Sequence, residues 1–553
     1  MKTEHTFEWR QIGAGAGGSL QLPASRRTSY QFPVYRWLGW LAVGGFAIGL
    51  TVMFFVSGMF GIPAPLGWAF LVVIFSLGAY LLDRPKQLLF LMLFFFMLMP
   101  KNRLLGLLAV PLPNFLDELF FLPFIAVIVM NWIQRRQLKE ATLFPVMFCL
   151  IAALSWYVNG RPSPFTAGQV TLVMLKFYIL WYFCRLTSTF ENSKQLARWA
   201  WVYIVYVAIQ FLYNMLWQRG PWPRYHPDIS GGVMGPEGQG PAHLIGYMCA
   251  FALFLLAGWW VSSGRHATHR QRGWWWALTI VIAYNLIFMT DTKHALVLMP
   301  IAFLPFLFHP SLSIRLRTGL LIGGGLFILA GLFYFQIAAA NFRWKGYVES
   351  FKTSPKGVML HAVTTDFPYL VPYPLLGAGP GRFTSHQAIA ARAPLARRYI
   401  IPYDDEQRRR SYWGQSGSVV QASILGVVRT DFFRVIGEFG WIGVAIFYSF
   451  LGWLSYRLFR KSIEWPLDHL ASGMFLGLSC CVIFVVFITF VFDAFTIPAV
   501  TFPLWILIGC MWDMKTPGLH TRSGTGVMQR VQRVEAESDH PKRQEGGAFR
   551  QGG

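Results

Sequence analysis

Apolar runs near 20 residues long recur between residues 37 and 512, parted by short polar intervals. A bilayer core about 30 Å thick demands helices of that length. The pattern predicts about 14 spans, with a range of 12–14, near 37–59, 64–82, 87–103, 115–133, 141–158, 167–185, 199–217, 241–262, 274–290, 295–310, 318–336, 436–457, 470–492 and 495–512. The expected fold is all-α, a polytopic transmembrane helical bundle. One polar interval breaks the rhythm, running from about Gln336 to Val435 and far exceeding every other internal loop. The chain thus divides into an N-terminal segment (1–36), eleven spans (37–336), a large loop (337–435), three spans (436–512) and a tail (513–553) without periodic apolar residues, which reads as disordered.

Composition agrees with that division. The 553 residues are 55% hydrophobic and only 13% charged, about half the charged share of a soluble chain. The net charge of +23 is partly topological, because basic residues collect in loops that stay in the cytoplasm. Clusters at Arg26/Arg27/Arg36, Arg84–Lys86, Arg135–Lys139, Arg185–Arg198, Arg265–Arg272, Arg315/Arg317 and Arg457–Lys461 all fall on one side. Both termini are then expected inside and the long loop outside, its own charge notwithstanding, since loops beyond about 60 residues escape the rule. No cleavable signal peptide is expected, because the first long apolar run reads as a retained anchor. All six cysteines lie in or beside apolar runs, so no disulfide framework or Cys-based metal site is expected in the loop.

Candidate chemistry gathers at the predicted outer side. One element is the interval Arg219–Pro241, with Arg224, His226, Asp228 and the run Gly231–Gly240. A second is the turn Thr290-Asp291-Thr292-Lys293-His294. The third is the long loop, with Arg343, the turn Gly377–Phe383 containing Arg382, and Arg429-Thr430-Asp431-Phe432-Phe433-Arg434. Cations so placed could hold a diphosphate, which arginine forks grip bidentately; they could equally contact lipid headgroups. Arg408–Arg410 beside Asp404–Glu406 reads as a self-neutralising turn. Gly377–Gly381 reads as a tight turn and lacks the Lys-Ser/Thr of a phosphate-binding loop. Lys176 lies inside a predicted span, where an ionisable group is functional or paired, here with Asp117 or Asp493. The first external loop, about Met59–Pro65, has no carboxylate, which argues against the metal-dependent multi-span glycosyltransferases.

Several of these segments, taken in order, resemble the O-antigen ligase and Wzy-type polysaccharide polymerase superfamily. The matching residues are Arg224 with Gly231–Gly240 before a mid-chain helix, Thr290–Ala295 between two helices, Arg343-Trp344, Pro374-Leu375-Leu376-Gly377-Ala378-Gly379-Pro380-Gly381-Arg382-Phe383, and Glu438-Phe439-Gly440-Trp441-Ile442-Gly443. The resemblance implies a GT-C-like bundle in the bacterial inner membrane with a periplasmic loop. It implies an inverting, metal-independent polymerase or ligase that moves a glycan from undecaprenyl diphosphate to a sugar hydroxyl. The implied partners are that lipid-linked glycan, a polysaccharide acceptor, the lipid bilayer and other polysaccharide-assembly proteins, with no cofactor and no nucleic acid. Arg343, Arg429, Asp431, His294 and His386 are the implied catalytic set; Lys176, Arg224, Lys293, Arg382 and Arg434 the implied diphosphate and glycan contacts. The sequence departs from the family where its histidine is expected, because Arg429 stands there and cannot act as a base. Rival readings are a lipid-linked oligosaccharide flippase or other transporter, and a non-catalytic subunit of an exopolysaccharide assembly complex.

Overall fold

The computed structural model describes residues 121–135, 142–161, 163–187, 189–219, 240–263, 267–290, 292–313, 360–383, 430–492 and 498–514, with isolated positions between them. Every regular element among these is helical and none is a strand. The principal helices are α1 (Leu122–Arg135), α2 (Leu143–Val158), α3 (Pro164–Thr187), α4 (Ser193–Tyr213), α5 (Gly240–Ser263), α6 (His269–Tyr284), α7 (Lys293–Ala302), α8 (Leu304–Phe308), α9 (Asp431–Glu464), α10 (Leu470–Ile488) and α11 (Pro498–Trp512). Five stretches are long and apolar enough to cross a membrane: Pro164–Thr187, Ser193–Leu216, His243–Ser263, Asp431–Glu464 and Leu470–Ile488. The chain is in this respect a multi-pass membrane protein. The expected segments at 1–36, 37–59, 64–82 and 87–103, most of 318–336, and the tail beyond Met514 lie outside the described residues.

Two elements differ from the periodicity. The expected span 295–310 is two helices, α7 and α8, parted at Phe303. Pro305 has no N–H to give to Ile301, so one helical hydrogen bond is missing where the two helices part. The helix expected from residue 436 begins instead at Asp431, where the Thr430 hydroxyl accepts the Phe433 N–H at 3.2 Å. The last polar residues of the long loop are therefore the first turn of α9.

Packing follows from residue size. Added to Gly258 of α5, a Cβ would lie 2.0 Å from the Gly473 carbonyl oxygen of α10, so glycine lets the two backbones touch. Gly473 and Gly477 repeat at the four-residue spacing by which membrane helices associate closely. Aromatic rings fill the space between α2, α3, α9 and α11. Phe144 stacks on Phe450 at 4.2 Å, and Phe177 meets Phe447 at 5.5 Å and Trp505 at 5.0 Å. The ends assigned inward by their basic clusters group together: Arg185 binds Asp513 through two nitrogens at 2.9 and 3.2 Å, and Lys461 donates to the Trp512 carbonyl.

His469, between α9 and α10, caps α10 by accepting the Ala471 N–H at its Nδ1, 3.1 Å away. The cap needs a neutral ring. Burial lowers the His469 pKa, against a smaller opposite pull from Asp468. A group with a depressed folded pKa gives stability present above its unfolded value of about 6.5 and lost as pH falls through the folded value. The melting temperature in detergent should therefore drop between about pH 7.5 and about pH 5. His469→Asn, which caps without titrating, should shrink that drop; an unchanged pH dependence would refute the role.

Candidate functional site

The predicted outer ends of α2 and α9 meet at the glycine turn of the long loop. Glu438, fully buried in α9, accepts the Gly381 N–H at 2.6 Å and the Ser385 N–H at 2.7 Å, one on each carboxylate oxygen. The turn also binds the helix backbone, with Ala378 N–H to Gly437 O at 2.8 Å and Gly379 N–H to Glu438 O at 3.2 Å. Those carbonyls are available because α9 breaks at Gly440, where φ is 69° and ψ −170°. Gly377 faces Gly440 with φ 76°, and a Cβ on either would lie within 2.5 Å of the other's nitrogen. From α2, the Ser155 hydroxyl donates to Leu376 O at 2.5 Å and the Asn159 amide to Gly377 O at 2.8 Å. Phe367, Val371, Ala378 and Phe383 of the loop bury against Phe433 and Ile436. This part of the polar interval is a packed substructure with its own apolar core.

Arg382 projects from that turn toward the end of α2, where its guanidinium lies beside Gly160. Partial burial lowers its pKa, though a guanidinium remains charged. One turn before Glu438, Arg434 is buried with its Nη1 3.6 Å from Asp431 Oδ1. Asp431 Oδ2 accepts the Phe495 N–H at 2.8 Å, and the Asp431 N–H reaches Phe492 O. Arg434 thus lies on one helix face with a carboxylate on each side, Asp431 three residues before and Glu438 four after. Asp431, with Arg434 beside it, ties the start of α9 to the α10–α11 turn.

Phe492 links that pair to a second group. Its ring packs 5.5 Å from Tyr247 and 6.4 Å from His243, both on α5. The Tyr247 hydroxyl is hydrogen-bonded to His294 Nε2 of α7, and the His243 and His294 rings cross at 5.1 Å. The structure therefore brings His294, Asp431 and Arg434 to one end of the helices. Lys293 is the first residue of α7, beside His294. Lys176 is 1% exposed on α3, with its ammonium 5.9 Å from the Phe121 ring centroid. Arg224, Arg343, His386 and Arg429 lie outside the described residues.

Three features escaped the sequence reading. Glu438 was legible only as part of a motif, although a carboxylate inside a predicted span is the same signal as Lys176. Tyr247 carries no signal in an apolar run. A buried contact joins Asn214 Nδ2 to Asn285 Oδ1 at 3.2 Å, where α4 and α6 each widen into a π-helical turn. Such turns gather at functional sites. Among the described residues no three His, Cys, Asp or Glu side chains group as metal ligands would. No protein-family model, curated protein or solved structure matches the chain.

Proposed function

We propose that this protein is a glycosyltransferase of polysaccharide assembly in the bacterial inner membrane, built as a bundle of about 14 spans and moving a glycan from undecaprenyl diphosphate to a sugar hydroxyl at the periplasmic face. The observation that carries the reading is the clasp between Glu438 and the Gly381–Ser385 turn. It joins two of the segments that resemble the polymerase and ligase superfamily, Pro374–Phe383 of the long loop and Glu438–Gly443 of α9, and it holds the cation Arg382 at the end of the bundle where His294 and Lys293 also lie. In the reaction the acceptor oxygen attacks the anomeric carbon. The bond from that carbon to the diphosphate oxygen breaks, and the diphosphate leaves with the electron pair. Diphosphate is already a good leaving group, so pre-placed cations that meet its developing charge are the main requirement. The acceptor proton passes to a base, and His294, with His243 beside it, is a described imidazole at that end.

The test is chain extension by purified protein given its lipid-linked glycan, scored for longer glycan and released lipid diphosphate. Arg343→Ala and Lys293→Ala should each slow transfer by about 10²–10³-fold, the usual cost of removing one group that stabilises a transition-state anion. Full polymer production by both variants would remove the assignment.

A flippase or other transporter draws support from one observation. Lys176 is a buried ionisable group near the middle of α3, at the depth where transporters bind their cargo. Translocation of the lipid-linked glycan without extension would favour that reading.

A further inference from the structure

We infer that the segment Phe367–Gly381 of the long loop is seated on the lipid surface of the outer leaflet, so that the loop is held at the level of the membrane interface. Between Asp366 and Arg382 this segment carries no charge at all, within a loop otherwise dense in arginine and acid. Its inward residues pack on α9, but its outward ones are apolar or aromatic. Tyr369 is 88% exposed, Leu375 61% and Tyr373 53%. Such a patch costs free energy in water and marks a surface that something covers.

The occupant follows from α2. Its exposed apolar residues, Leu143, Met147, Leu150, Leu154 and Tyr157, recur at helical spacing. That stripe is fit to face hydrocarbon, and it ends at a tyrosine followed by Arg161, whose guanidinium lies 4.2 Å from the Tyr157 ring centroid. Tyrosine sits at the headgroup level of a membrane interface, and an arginine beside it can reach the phosphates. Arg161 is also the one described non-glycine residue with positive φ, at 48°. The loop segment is fastened at that level, because Ser155 and Asn159 of the same helix end hold Leu376 and Gly377. Tyr369, Tyr373 and Leu375 are therefore presented at the depth that Tyr157 defines. Pro368, Pro372 and Pro374 stiffen the segment, so little chain entropy is lost on docking.

The experiment uses the full chain in phospholipid nanodiscs, with Cys149→Ser to remove the exposed native thiol. Single cysteines replace Tyr369, Tyr373, Leu375 or Thr364 and carry a fluorophore. Thr364 is the control, being exposed on the preceding turn among polar neighbours. Quenchers attached to lipid just below the headgroup should reduce emission at 369, 373 and 375 several-fold more than at 364, and aqueous iodide should do the reverse. Equal iodide quenching at all four sites, with no lipid-borne quenching, would overturn the inference. Shielding of 373 and 375 from both quenchers would also overturn it, because a protein then covers the patch. No step depends on glycosyl transfer, so this result and the function stand or fall separately.

Discussion

Gly440→Ala is expected to lower the melting temperature sharply, because two independent penalties fall on one methyl group within α9 itself. At φ 69° and ψ −170° the backbone lies where essentially only glycine resides, and a side chain there costs about 1–3 kcal/mol. The added Cβ would also lie 2.2 Å from Leu375 O and 2.4 Å from Gly377 N. Both are backbone atoms already committed to the turn, so they cannot swing aside as a side-chain tip would. Overpacking of this kind typically adds about 1–3 kcal/mol, and the sum rivals a large part of a domain's net stability. Gly377→Ala should behave alike, since its Cβ would meet Gly440 N at 2.5 Å. Gly452→Ala is the control. It sits in the same helix with nothing within 4 Å and should be neutral or stabilising by up to about 1 kcal/mol. Thermal unfolding and size-exclusion profiles in detergent would measure all three. Wild-type behaviour from Gly440→Ala would mean that the two glycines do not face each other.

The helices were legible because their cause is local. Apolar length alone placed α3, α5, α10 and α11 within a few residues of their observed ends. It failed at α7–α8, where Pro305 was overlooked beneath a strong apolar signal, and at Asp431–Val435, where polar side chains hid a first helical turn. The Asp431 and Arg434 charges are tolerated there because they neutralise each other and because Phe495 supplies a backbone N–H.

The site was legible in its parts and not in its connections. Thr290–His294 and Asp431–Arg434 were singled out for their charges, and both reach the same end of the bundle. Their link runs through Phe492 and Tyr247, which no charge pattern distinguishes from lipid-facing aromatics. The glycine turn and Glu438 were both noticed as motifs, yet more than 50 residues separate Glu438 from its two donors. Hydrogen bonds between a carboxylate and distant backbone N–H groups leave no periodicity to read. The long loop shows the same limit. Nothing in its charge pattern marks the uncharged run that packs on α9 and holds Arg382 in place.

Glu438→Ala is expected to release that run and to abolish most activity without unfolding the bundle. Removing the carboxylate strands the buried N–H groups of Gly381 and Ser385, each at a cost of about 1–3 kcal/mol. Arg434 keeps its ion pair with Asp431, 3.6 Å away, so its buried charge is not stranded. The α5–α10 contact at Gly258 and Gly473 and the aromatic packing around Phe177 involve none of these groups, so the helices should stay assembled. Trypsin should then cut near Arg382 faster in Glu438→Ala than in wild type, at similar melting temperature. Transfer should fall by about 100-fold, the scale expected when positioning groups shift by an ångström. Glu438→Gln keeps one acceptor oxygen but turns an amide N–H toward the second donor, so it should lie between the two. The ordering wild type, Gln, Ala in both proteolysis and rate tests the clasp as a positioning device. A Glu438→Ala protein that resists trypsin and transfers at the wild-type rate would show that Arg382 is held by other means.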